Sequence, residues 1–220
     1  MDFNGVVLIS SVLNFETLRF DDGNDLPYIL YLPSYTATAW VHQRLSAELQ
    51  ADLRKTLAEV QQFALGDYTL ALMKGSKLAP EARTEIAQKL ARYTGLSADY
   101  VARSNLRIDN GRFMKELLRG EHRTVGRYDS RFTGTDLDAV GEQSEYDPSF
   151  AAVQGPYTAA LNTYIRAELK CERDLPYEIL TGRVHPWNFG NARNRYLNVS
   201  GSLRQAMTKN RDLRVFVARS

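Results

Sequence analysis

The strongest constraint on this chain is a pair of short apolar runs, one near each end. Gly5-Val6-Val7-Leu8-Ile9-Ser10-Ser11 comes first, and Leu213-Arg214-Val215-Phe216-Val217 comes last. Near-continuous apolar runs of this length belong to strands in the middle of a parallel sheet, covered on both faces. Such strands need sheet neighbours, and the residues between them read mostly as helix. The chain therefore reads as the middle of a larger arrangement, with its chemistry expected to lie elsewhere. The two strands are expected to pair with each other, swap or stick.

At 220 residues the chain can bury one sizeable core, or a core with an appended subdomain. A hydrophobic content of 44% with 25% charged residues is ordinary for a globular protein. The net charge of +2 hides an asymmetry, because from Arg183 onward eight Lys/Arg face a single acid, Asp212. A basic tail can bind phosphates, but with no aromatic-basic module beside it the solvated rim is the better reading. Cys171 is the only cysteine, which excludes an intramolecular disulfide and a cysteine metal cluster. Flanked by Lys170 and Glu172, it reads as an inert thiol. No run approaches the ~20 apolar residues of a membrane span, and the start lacks the charged region and cleavage site of a signal peptide.

Along the chain, Asp21-Asp22-Gly23-Asn24-Asp25 is a turn cluster and Leu26-Pro27-Tyr28 restarts the fold. Tyr35 to Trp40 leads into a long predicted helix, with Leu45, Leu49, Leu53, Leu57, Val60 and Ala64 on one stripe and a stop at Gly66-Asp67. A short apolar stretch over 69–73 ends at Gly75. Pro80 opens another helix that stops at Gly95, and Ser97 caps the next, over 98–105. Phe113, Met114, Leu117 and Leu118 mark one more. Residues 120–147 are polar and glycine-punctuated, a long surface excursion of the kind that is often functional. Pro156 is expected to start a helix with Leu161 and Ile165 inward. Ser200 or Ser202 should cap a last helix that delivers the chain to the final strand.

Few local motifs carry chemistry. His42, His122 and His185 are far apart, and none has a partner at metal-ligand spacing. His185-Pro186-Trp187 reads as a packed loop. No Gly-x-Ser-x-Gly, phosphate loop or dinucleotide fingerprint occurs, so no cofactor is expected. The acidic run Asp136, Asp138, Glu142, Glu145 and Asp147 reads as solvated loop. Asn198-Val199-Ser200 fits a glycosylation acceptor, relevant only in a eukaryotic secretory setting. Ala91 to Val101 resembles a helix-turn-helix, with Arg103 and Asn105 outward as base or phosphate readers. The neighbouring Glu81, Glu85 and Asp99 argue against nucleic acid.

Several segments together resemble bacterial serine carboxypeptidases of the carboxypeptidase C/cathepsin A family. They are Phe3 to Asn14, Tyr28 to Trp40, Arg127-Tyr128-Asp129-Ser130-Arg131-Phe132-Thr133-Gly134, Tyr146-Asp147-Pro148-Ser149-Phe150, Tyr196-Leu197-Asn198-Val199, Leu203 to Met207 and Leu213 to Val217. The resemblance spans nearly the whole chain. It implies an α/β fragment, predominantly helical: the helical lid of an α/β-hydrolase flanked by two sheet strands. Residues 1–26 would be a strand and turn of the hydrolase core, 27–199 the lid, and 200–220 a helix and strand returning to the core.

In that family the nucleophilic Ser precedes the strand matching Val6 to Ser10, while the Asp and His follow the strand matching Leu213 to Val217. Residues gripping the substrate's C-terminal carboxylate also lie largely upstream. Met1-Asp2 and Ala218-Arg219-Ser220 depart from the family pattern, and no catalytic residue carries over. The resemblance implies a peptide substrate for the full-length protein, possible periplasmic or secreted location, and no activity for this chain alone. Tyr35, Trp40, Tyr128, Phe132 and Trp187 are candidates to face the substrate pocket, since aromatics offer area and a polar tip; ordinary lid core is the competing reading. Two other readings stay open, a stand-alone helical interaction module that self-associates through its strands and a DNA reader using 91–105. No membrane partner is expected.

Overall fold

The computed structural model describes residues 3–175, 177–190 and 196–218. β1 (Gly5–Ile9) leads through a 3-10 turn at Phe15–Thr17 to the expected turn at 21–25. There Asn24 is buried, and its amide donates to the carbonyls of Glu16 (2.8 Å) and Arg19 (2.7 Å). α1 (Leu26–Val41) follows, with Pro27 in its first turn, where a missing N–H leaves no bond unmade. It begins well before the aromatic run at Tyr35 and carries Pro33 in its interior.

The single helix expected over 45–64 is two helices, α2 (Ala47–Gln50) and α3 (Leu53–Phe63). Asp52 breaks it by capping α3. Its carboxylate accepts the Lys55 N–H at 3.1 Å, and Thr56 Oγ1 donates across the break to the Leu49 carbonyl at 2.8 Å. Gly66-Asp67 is not a stop. A π turn, Ala64–Tyr68, continues into α4 (Thr69–Lys74), which ends at Gly75 with a φ of +51°. Around this turn Tyr68, Ala71 and Leu72 face the core, while Leu65, Leu70 and Met73 face outward.

α5 (Pro80–Thr94), α6 (Ala98–Arg103) and α7 (Asn110–Glu116) stand where their apolar spacing and caps put them. Gly95 has a φ of +72°, and a Cβ there would come within 2.7 Å of the Arg44 Cβ, so both backbone and space demand glycine. Ser97 accepts the Tyr100 N–H at 3.1 Å, as a cap should. These helices close over one core that runs from Ile29 to Val125, with Leu32, Leu49, Val60 and Val101 at its centre.

The excursion over 120–147 contains a short antiparallel ladder, β2 (Thr124–Val125) with β3 (Thr133–Gly134). Its acidic run is solvated only in part: Asp138, Glu142 and Glu145 are exposed, but Asp136 is not. Asp136 is buried against Lys115 of α7, Oδ2 to Nζ 2.6 Å, with side chains only 5% and 4% exposed. Lys115 also donates to the Asp138 carbonyl at 2.9 Å. Glu142 takes Arg112 at 2.6 Å, and Arg119 donates to the Gly141 carbonyl at 2.8 Å. Arg112 and Lys115 on α7, with Arg119 four residues on in a following 3-10 turn, draw the loop onto the helical body.

α8 (Pro148–Thr163) begins eight residues earlier than Pro156 suggests, because Asp147 caps it and Pro148 takes its first position. Pro156 lies inside. A π turn over Tyr164–Glu168 ends the helix, and among the described residues of 169–189 the one regular element is a 3-10 turn at Gly182–Val184. His185, Pro186 and Trp187 lie exposed rather than packed. α9 (Ser200–Lys209) has Val199, not a serine, at its N-cap, and Asn198 just before it accepts the Ser200 N–H at 3.0 Å and hydroxyl at 2.6 Å through Oδ1. β4 (Arg214–Ala218) then lies parallel to β1, with Val7 opposite Phe216 and Leu8 opposite Val217. The face carrying Val7, Ile9 and Phe216 is open, at 63%, 71% and 64% exposure. The chain is predominantly helical with two small sheets.

Candidate functional site

An open groove of about 1300 Å³ runs along α8. One wall is the helix itself, where Phe150, Val153, Tyr157, Leu161 and Tyr164 recur at three- and four-residue steps. The second wall is the loop Tyr128 to Phe132, and the third is Ile179-Leu180. A smaller cavity of about 360 Å³, half polar, lies on the other side of Tyr128, Phe150 and Leu180, against Asn110 and Met114 of α7.

Two elements fix the loop wall. From α1, Thr38 Oγ1 donates to Ser130 Oγ at 2.8 Å, and His42 Nε2 lies 2.6 Å from the Ser130 carbonyl, so it carries the proton of that bond. From the start of α8, Ser149 Oγ accepts the Tyr128 N–H at 3.0 Å, and Asp147 Oδ1 accepts the Arg127 N–H at 3.0 Å. The same oxygen takes the Ser149 hydroxyl at 2.6 Å and the Ser149 N–H at 3.0 Å. Burial pushes the Asp147 carboxyl up, but the Ser149 hydroxyl and the surrounding backbone N–H groups outweigh it and hold it below the usual carboxylate range. Asp129 is held low by the Arg131 guanidinium, which it meets at 2.6 Å. These two are the charged residues lining the groove, and they neutralise each other.

The groove's lining is mainly aromatic and aliphatic. His42 reaches the Ser130 backbone and not its hydroxyl, so the pair is not a nucleophile and base. Cys171 is free and exposed. Among the described residues no group of three or more His, Cys, Asp or Glu is placed to hold a metal. No helix among them is long and apolar enough to cross a membrane.

Of the five aromatics singled out from sequence, the structure brings Tyr128 and Phe132 together in the groove. Tyr35 belongs to the core. It is 6% exposed, stacks on Phe113 with centroids 4.2 Å apart, and donates its hydroxyl to the Ile108 carbonyl at 3.3 Å. Trp40 is half-buried, its indole N–H given to the Gln50 carbonyl at 3.0 Å, and it pins α1 to α2. Trp187 is exposed and lines neither cavity. What sequence reasoning missed is the α8 wall. Its signal was present, since Phe150, Val153 and Tyr157 already follow helical spacing, but a helix start placed at Pro156 hid it.

The helix-turn-helix candidate exists as a turn of α5 and α6, but its outward side chains are engaged. Arg103 pairs with Asp99 at 3.2 Å, Asn105 takes the Arg83 guanidinium, and Arg92 pairs with Glu48 and Glu59. α6 is also only six residues long. No family model matches this chain, and no curated protein or solved structure does either.

Proposed function

We propose that this chain is the lid-bearing segment of a serine-carboxypeptidase-like α/β-hydrolase, without peptidase activity of its own. The observation that carries the reading is the parallel pair β1–β4. The two strands are neighbours although about 200 residues of mainly helical chain lie between them. Parallel strands require a crossover, and here the crossover is an entire helical body. A two-stranded sheet is marginal alone, and parallel sheets are normally covered on both faces. The open face at Val7, Ile9 and Phe216, together with outer strand edges that no strand among the described residues pairs with, fits a sheet that continues on either side.

Acyl transfer needs a nucleophile, its base and oxyanion donors held together. The family resemblance puts that machinery before β1 and after β4. The helical body would then cover the active site, with Tyr128, Phe132 and the α8 aromatics turned toward a peptide substrate and excluding water from it.

Reading the coding DNA on both sides of the segment in its source tests this directly. The same frame should continue upstream to a Gly-x-Ser-x-Gly and downstream to an Asp and a His. Stop codons close on both sides would sink the proposal, as would inhibitor-sensitive release of C-terminal residues by the purified chain. The open strand edges favour a second reading, an interaction module that self-associates. Concentration-dependent association in sedimentation, from a chain bounded by stop codons, would support it.

A further inference from the structure

Ile179 and Leu180, the third wall of the groove, are carried on a stretch with little regular structure. Packing does little to secure it, since Leu175, Tyr177, Leu180 and Val184 are all exposed. The closest tie to α8 is a side chain. Asn162 Oδ1 accepts the Tyr177 N–H at 3.0 Å, while its Nδ2 reaches the Tyr177 carbonyl at 3.4 Å. Nδ2 also donates to the Thr158 carbonyl at 2.8 Å, one turn back on α8, which fixes the amide's orientation. An amide used this way imitates one residue of a neighbouring strand, offering donor and acceptor together. Arg166–Asp174 adds only a 3.8 Å contact in solvent, and Glu178–Arg183 is internal to the stretch.

We propose that Asn162 is the latch of a movable strap. Its clasp on the Tyr177 backbone seats residues 177–184 as one wall of the groove, and its release opens the groove along α8. Asn162 acts through Tyr177 and is a positioning residue. Two solvent-facing hydrogen bonds, one of them long, can break without disturbing the helix that supplies them. The proposal does not depend on the hydrolase reading, because it concerns only the groove and its wall.

Limited trypsin digestion and binding of N-phenyl-1-naphthylamine, a neutral apolar fluorophore suited to a groove whose charges cancel, test it on the intact chain. In Asn162→Ala, cleavage at Arg183 should accelerate about tenfold, the equivalent of losing one net hydrogen bond. Dye affinity should fall in parallel, while cleavage at Arg54 and Lys89 in the helical body keeps its rate. Asn162→Asp, which keeps only the acceptor, should fall between. Tyr177→Pro deletes the N–H from the opposite partner, leaves α8 untouched, and should reproduce the alanine result. Unchanged strap cleavage in both Asn162→Ala and Tyr177→Pro would overturn the latch. So would equal acceleration at Arg54 and Lys89, or failure of the unaltered chain to bind the dye.

Discussion

Between Ile29 and Val125 the apolar side chains close into one continuous core, whereas from Tyr128 to Val217 large ones such as Leu137, Tyr157, Leu180, Trp187 and Phe216 stand open to solvent. The two regions are also held by different forces. The first rests on burial, the main favourable term in folding. The second rests on polar side-chain contacts: the Asp147 cap of α8, Asn198 before α9, Lys115 with Asp136 at the seam, and the Asn162 clasp. Ordering a residue costs about 1–2 kcal/mol of backbone entropy. Polar contacts of this kind return less per residue than buried area does. The helical body therefore has its own reason to fold, while the second region and β1 present surface that another element can cover.

The comparison breaks most readily at the seam. Lys115→Ala would leave the Asp136 carboxylate buried without its cation and should cost about 3–5 kcal/mol in denaturant unfolding. Replacing both partners with apolar residues, Lys115→Met with Asp136→Leu, should recover most of that loss. Leu90→Ala, in the centre of the body, should cost about 2–5 kcal/mol by opening a cavity. If instead it costs as little as a surface change, the body is not the independent core described above.

Asp147→Ala should cost about 1 kcal/mol, the usual value of a helix cap, and loosen the loop wall of the groove as seen by amide exchange at Arg127 and Tyr128. The pH dependence has a definite sign. The folded-state carboxyl lies below its ordinary range, so its contribution is present above that range and is lost as pH falls through the lowered value. Acid titration should therefore weaken the unaltered chain more than the Asp147→Ala variant. The smallest effect belongs to the open strands. Phe216→Ser should change unfolding by no more than about 0.5 kcal/mol while reducing any self-association seen in sedimentation. A large loss of stability would mean that the β1–β4 face is covered in solution.

Much of the helical body was legible from local signals. Pro80, Gly95 and Ser97 punctuate their helices as their chemistry dictates, and the stripe from Leu45 to Ala64 marks the buried face. The errors share a cause. Proline and glycine suggest boundaries at Pro156 and Gly66, but both lie inside longer helices, Gly66 in a π turn and Pro156 on an exposed face of α8. The capping carboxylates Asp52 and Asp147 were the better signals, because a side chain that satisfies free N–H groups starts a helix more decisively than a proline does. The groove was half legible. Tyr128 and Phe132 were named, while the α8 wall and the strap were not, since their approach depends on contacts distant in sequence.

The sequence by itself determined the predominantly helical character, the two apolar strands at either end, and the absence of a Gly-x-Ser-x-Gly elbow or metal-ligand spacing, because these follow from periodicity, composition and local bonding. Only the tertiary structure decided that β1 and β4 are parallel neighbours, that Tyr35 is core and Tyr128 is not, and that Asp136 is buried rather than solvated. Each of those outcomes turns on a partner far along the chain: Phe216 for Val7, Phe113 for Tyr35, Lys115 for Asp136. Residue type sets what a side chain can do, and the company the fold provides sets which of those things it does.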